Sequence, residues 1–186
     1  MMVPLTALWL PILLSAVAVF IGSSLIHMVL RWHNSDFKKL PDEDGIRSTM
    51  REAGLDAGTY FFPCHEDPSK NMSPEMQEKF AEGPSGRMVV FPKGAINMGQ
   101  RMLHWFFYCV VVNLVAGYMA AATLAPGTDY LSVFQIVGTA AFLGYAGGVW
   151  QEVIWWGAAP SAAIKSIADG LIYALLTAGV FGWLWP

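Results

Sequence analysis

Four long apolar segments restrict this chain more than anything else in it: Val3 to Leu30, Met102 to Ala125, Leu131 to Gln151, and Ile167 to Trp185, the last carrying one charge, Asp169. A helix rises 1.5 Å per residue, so about 20 apolar residues cover the roughly 30 Å of hydrocarbon in a bilayer. Each segment is long enough. The prediction is an all-α membrane protein, a bundle of four transmembrane helices over 3–30, 102–125, 131–152 and 162–185. Only 13% of the residues are charged and 55% are hydrophobic, against about 25% charged in soluble domains.

The first segment contains "SAVA" at Ser15 to Ala18, faintly like a signal-peptide cleavage site. It lacks a preceding basic residue and its apolar core runs well past that point, so a retained anchor is expected.

All eleven Lys and Arg residues fall between Arg31 and Arg101 or at Lys165. With four crossings these positions share one face. The positive-inside rule then places 31–101 in the cytoplasm and both termini on the other side. The tryptophans agree, forming one belt from Trp9, Trp183 and Trp185 and a second from Trp32, Trp105, Trp150, Trp155 and Trp156. Cys64 and Cys109 are poorly placed to pair, as suits a reducing compartment.

Small residues recur at spacing four in helix 4 (Gly170, Ala174, Ala178, Gly182) and helix 3 (Ala140, Gly144, Gly148). In lipid, where apolar faces gain little by meeting, such stripes let backbones approach closely. They fit one compact bundle or, alternatively, a homodimer seam. Asn113 is a candidate interhelical hydrogen bond.

Residues 31–101 hold ten basic and eleven acidic residues, which argues against a nucleic-acid partner. "PDEDGIRSTMREAG" reads as a short amphipathic helix. "GTYFFP" and "GRMVVFPKG" read as strands. "NMSPEMQEKFAEGP" reads as a helix capped by Ser73, begun by Pro74 and stopped at Gly83. Strand, helix and strand suggest a βαβ unit, so the insertion is predicted as a small α+β element of αβαβ order. So small an element buries too little to stand alone, and a docking partner is expected for it. Cys64, His65, Glu66 and Asp67 are consecutive, which is poor spacing for one metal ion, and they read as a polar turn.

Helical rise converts counts into depth. Glu152 lies about 32 Å from Leu131, at the cytoplasmic edge, whereas Asp169 lies about 24 Å from Trp185, roughly one turn inside the hydrocarbon. A charge left unpaired there costs at least about 2.5 kcal/mol. Asp169 and Tyr173 share a stripe on helix 4. His27 and Arg31 share a face of helix 1, and Arg101 and His104 a face of helix 2. The candidate intramembrane polar cluster is therefore Asp169, Glu152, His27, His104, Arg31, Arg101 and Tyr173.

Three readings of the cluster stay open. Asp169 pairs with Lys165 or an arginine and locks the bundle; it serves a proton or ion path in a small transporter or channel component; or His27 and His104 ligate haem or a metal in a redox subunit. No nucleophile-and-base motif, phosphate loop or paired-histidine helix motif occurs. The leading expectation is a non-enzymatic accessory membrane protein without cofactor, seated in the lipid bilayer and docking a protein partner through its cytoplasmic segment.

The runs "MREAGLDAGTYFFPC" and "DGLIYALLTAGVFGWLWP", with the four-helix plan, resemble a family of small uncharacterised inner-membrane proteins of bacteria. The resemblance implies a bacterial inner membrane and carries over no catalytic residue.

Overall fold

The computed structural model describes residues 3–186. The described chain divides into two compact units, one formed by residues 3–37, Asn97–Ile154 and Ala158–Pro186, the other by Lys38–Ile96 and Trp155–Gly157.

The first unit is helical. A 3-10 turn, Leu5–Leu8, leads into α1, Trp9–Ser24, which continues as wide π turns over Leu25–Leu30. Further along are α4 (Met98–Thr123), α5 (Tyr130–Ala146), α6 (Val149–Trp156) and α7 (Pro160–Trp183); α2 (Glu43–Glu52) and α3 (Pro74–Glu82) belong to the second unit. Four continuous stretches, Leu5–Leu30, Met98–Thr123, Tyr130–Trp156 and Pro160–Trp183, are long and apolar enough to cross a membrane. Local chemistry sets their starts. The Asn97 side chain accepts from the Gln100 N–H, the Asp129 side chain from the Ser132 N–H, and Pro160 opens α7 where its missing N–H costs nothing.

The bundle is apolar outside as well as inside. Ile21, Leu25, Val111, Val115, Leu143 and Leu171 are exposed, and so many large apolar side chains on one surface suit lipid rather than water. Inside, small residues set the helix spacing. A Cβ on Gly170 would stand 2.8 Å from Ala146 Cβ, one on Gly138 3.2 Å from Ala178 Cβ, one on Gly144 2.8 Å from Val112, and one on Gly22 2.9 Å from Leu176. The helix 4 stripe is thus spent within the chain, where Ala174 and Ala178 are buried. Gly148 differs from this pattern, because nothing lies within 4 Å of a Cβ built there. With Gly147 it separates α5 from α6 instead of packing against a neighbour. Asn113 Nδ2 donates 2.8 Å to the Cys109 carbonyl in its own helix and 3.4 Å to Tyr145 Oη across the bundle.

The second unit holds α2 (Glu43–Glu52), β1 (Gly58–Phe62), α3 (Pro74–Glu82) and β2 (Gly86–Val90). Ser73, Pro74 and Gly83 bound α3 as their chemistry dictates. The strands pair antiparallel, from Gly58 opposite Val90 to Phe62 opposite Gly86, so the βαβ expectation, which requires parallel strands, is corrected. Parallel pairs persist where both faces of a sheet are covered, and two five-residue strands beside one short helix offer no such cover. Met76 is the buried hydrophobic residue of this unit, with Phe80 of α3 meeting Phe61 at 6.2 Å between ring centroids. The Cys64–Asp67 stretch is a polar turn, in which the Asp67 N–H donates to His65 Nδ1 and Asp67 Oδ1 accepts from Ser69.

Candidate functional site

The site begins with a defect in α1. Ser23 and Ser24 both donate their hydroxyls to the Phe20 carbonyl, a back-bond that loosens the helical ladder. Beyond them the helix widens to π turns, a form that recurs at functional sites. It ends at Arg31, whose φ of 53° is left-handed and whose N–H bonds back to the Ile26 carbonyl. That reversal throws a 3-10 turn, Trp32–Asp36, back toward α7. Lys165 of α7 then pins the turn, donating 2.9 Å to the Trp32 carbonyl, 2.7 Å to Ser35 Oγ, and to Asp36 Oδ1. This ammonium, helped by His33 and opposed by burial, holds the Asp36 carboxyl below its ordinary range.

The pinned turn presents His33 to two carboxylates. His33 Nδ1 lies 2.7 Å from Asp36 Oδ2 and Nε2 lies 2.8 Å from Asp169 Oδ2. An ionised carboxylate only accepts, so a ring nitrogen facing one meets it by donating. His27 stacks on His33, with ring centroids 4.9 Å apart and planes 9° apart. Its Nδ1 faces the Ser23 carbonyl at 3.0 Å, which needs an N–H there and leaves Nε2 on the side of Asp169 Oδ2, 3.8 Å away. His27, His33 and Asp169 each place a potential ligand atom within 4.8 Å of the others. Both histidines also have their second nitrogen held by an acceptor, the arrangement that orients imidazoles on metal ions.

Beside this cluster a cavity of 470 Å³ opens between the helices, lined among others by Phe20, His27, Arg101, Trp105, Asp169 and Tyr173. Asp169 and Tyr173 are only 5% and 4% exposed. Asp169 Oδ1 and Tyr173 Oη have no hydrogen-bond partner within the protein.

The structure brings Asp169, His27, Tyr173 and Arg101 of the predicted cluster to this one place. The remaining three lie elsewhere. Arg31 leaves the face it would share with His27 in a regular helix, because the π turns and its own left-handed backbone rotate it outward, and its Nε donates to the Met28 carbonyl. His104 and Glu152 are exposed and do not line the cavity. Lys165 pairs with Asp36 rather than with Asp169. Sequence reasoning missed His33 and Asp36, which sit past the end of the predicted span. The signal available was "WHNSD" directly after the interfacial Arg31. No family model matches the chain, nor does any curated protein or solved structure.

Proposed function

We propose that this is a multi-pass inner-membrane metalloprotein that holds one divalent first-row transition-metal ion between His27, His33 and Asp169 at the cytoplasmic end of its bundle. The observation that carries the reading is the convergence of two imidazoles and a carboxylate, with Ser23 and Asp36 already orienting the two rings. Two nitrogens and one oxygen suit the middle of the first transition row. Three protein ligands leave coordination positions open, as in sites that act on a bound molecule rather than merely brace the fold. The distribution of Lys and Arg supports the orientation, with 31–101 in the cytoplasm.

The test is titration of chelator-treated, purified protein with Co²⁺. Visible ligand-field bands saturating at one equivalent, displaced by Zn²⁺ and lost in His33→Ala, are expected. Absence of saturable binding, or binding indifferent to His33→Ala, would refute the reading.

A second reading concerns the Lys38–Ile96 segment as a docking element for a protein partner. Phe61, Phe62, Val89, Phe91 and Ile96 are all exposed there, more apolar surface than so small a sheet normally leaves to water. Crosslinking at these positions in cells tests it, with one partner recovered in stoichiometric amount as the expected result. A proton or ion path is less well supported. The polar column Asp169, Tyr173, Thr177 runs into Phe181, Leu8, Ile12, Val133 and Val137, all buried and none ionisable.

A further inference from the structure

We propose that the cavity between α1, α4, α5 and α7 binds a membrane-soluble phenol, a quinol-type ring whose hydroxyl is held by Asp169 and Tyr173. Its 470 Å³ lies within the range of about 300–1,000 Å³ typical of small-molecule sites. The walls are largely aromatic and thioether: Phe20, Met28, Met102, Trp105 and Tyr145. The Trp105 and Tyr173 ring centroids stand 5.9 Å apart, and those of Tyr145 and Tyr173 5.4 Å apart, both edge to face. Such rings receive a further flat ring by stacking or edge contact, and methionines adapt to its substituents. Met28 and Met98, at the rim, are 61% and 60% exposed, so a molecule dissolved in the surrounding apolar phase can enter.

The polar groups narrow the chemistry. Asp169 Oδ1 and Tyr173 Oη are buried in this wall without a protein partner. A carboxylate oxygen accepts only, whereas a tyrosine hydroxyl donates or accepts. One hydroxyl of the ligand answers both, donating to Asp169 and accepting from Tyr173. A quinone or an aryl ether has no proton to donate to Asp169 Oδ1. The metal reading uses Asp169 Oδ2, His27 and His33, whereas this one uses Oδ1 and Tyr173, so neither depends on the other.

The experiment is calorimetric titration of the full-length protein in nanodiscs with EDTA present, empty nanodiscs serving as reference. The probes are a decyl-substituted benzoquinol kept reduced, its dimethyl ether, its quinone and a long-chain aliphatic alcohol. One quinol per chain is expected, with the ether and the quinone weaker by about tenfold, the worth of a hydrogen bond to a charged group. Tyr173→Phe weakens the quinol about fivefold, and Asp169→Asn narrows the gap between quinol and quinone, because an amide both donates and accepts. Equal binding of quinol and ether, preference for the aliphatic alcohol, or heats no different from empty nanodiscs would each overturn the proposal. The ligand series on the unmutated protein decides the matter even if a variant fails to fold. Binding with EDTA present also separates this outcome from failure of the metal reading.

Discussion

His33 Nε2 stands 2.8 Å from Asp169 Oδ2, joining residues 136 positions apart in the chain. This contact turns a carboxylate inside an apolar helix from a liability into a partner. It also fixes the turn after α1 against α7, so that the proposed metal ligands and the cavity wall share two residues, His27 and Asp169.

Asp36 touches no proposed ligand atom on the ion side, yet it holds His33 through Nδ1. Residues that orient metal-bound histidines typically account for about 10–100-fold in affinity. Asp36→Asn is therefore expected to weaken Co²⁺ binding by about that factor while leaving one equivalent bound. An unchanged affinity, read by competition with a calibrated chelator, would remove Asp36 from the site.

The α5–α7 contact admits no extra methyl at Gly170, where a Cβ would meet Ala146 at 2.8 Å, but leaves open space at Gly148. Overpacking costs about 1–3 kcal/mol, so Gly170→Ala should lower the unfolding midpoint in detergent clearly. Gly148→Ala should leave it unchanged or raise it. The reverse order would show that these helices are not held by close backbone approach.

Asp129 caps α5, accepting from the Ser132 hydroxyl at 2.6 Å and from its N–H at 3.1 Å. Those bonds hold its carboxyl below the ordinary range. A depressed carboxyl contributes stability that is fully present above the unfolded-state value, about 3.9, and is lost as pH falls through the lower folded-state value. Asp129→Ala should then lower the thermal midpoint at neutral pH, with the gap to the unmutated protein closing only in acid below about pH 4. Asp129→Asn, which still accepts, should show little effect at neutral pH.

Cys64 is exposed and Cys109 is buried. The proposed orientation, with 31–101 in the cytoplasm, predicts that a membrane-impermeant maleimide labels Cys64 in inverted vesicles and not in intact spheroplasts. Labelling from outside intact cells would reverse the orientation.

The positions of the four long helices and the caps at Ser73 and Gly83 were legible in the sequence because each rests on local rules. Apolar length and a capping side chain act within a few turns of chain. The strand pairing and most of the polar cluster were not legible in the same way. Arg31 was assigned to the cluster on the assumption of a regular helix, and two serines bonded to one carbonyl undo that regularity. His33 read as part of the polar segment that begins at Arg31, because nothing local signals that the chain turns back.

By itself, then, the sequence determined how many segments are long and apolar enough to cross a membrane, where they start, and that one of them carries a buried carboxylate needing a partner. Only the tertiary structure decided which partner. Three candidates lay within reach, namely Lys165, the arginines and the histidines. Lys165 was taken up by Asp36 and the Trp32 carbonyl, and Arg31 was rotated away by the π turns. His33 took the place beside Asp169 because a left-handed residue at Arg31 brings a distant stretch of chain back onto α7. Local propensity sets where helices begin and end, but pairing across 136 residues depends on which groups the packed helices bring together.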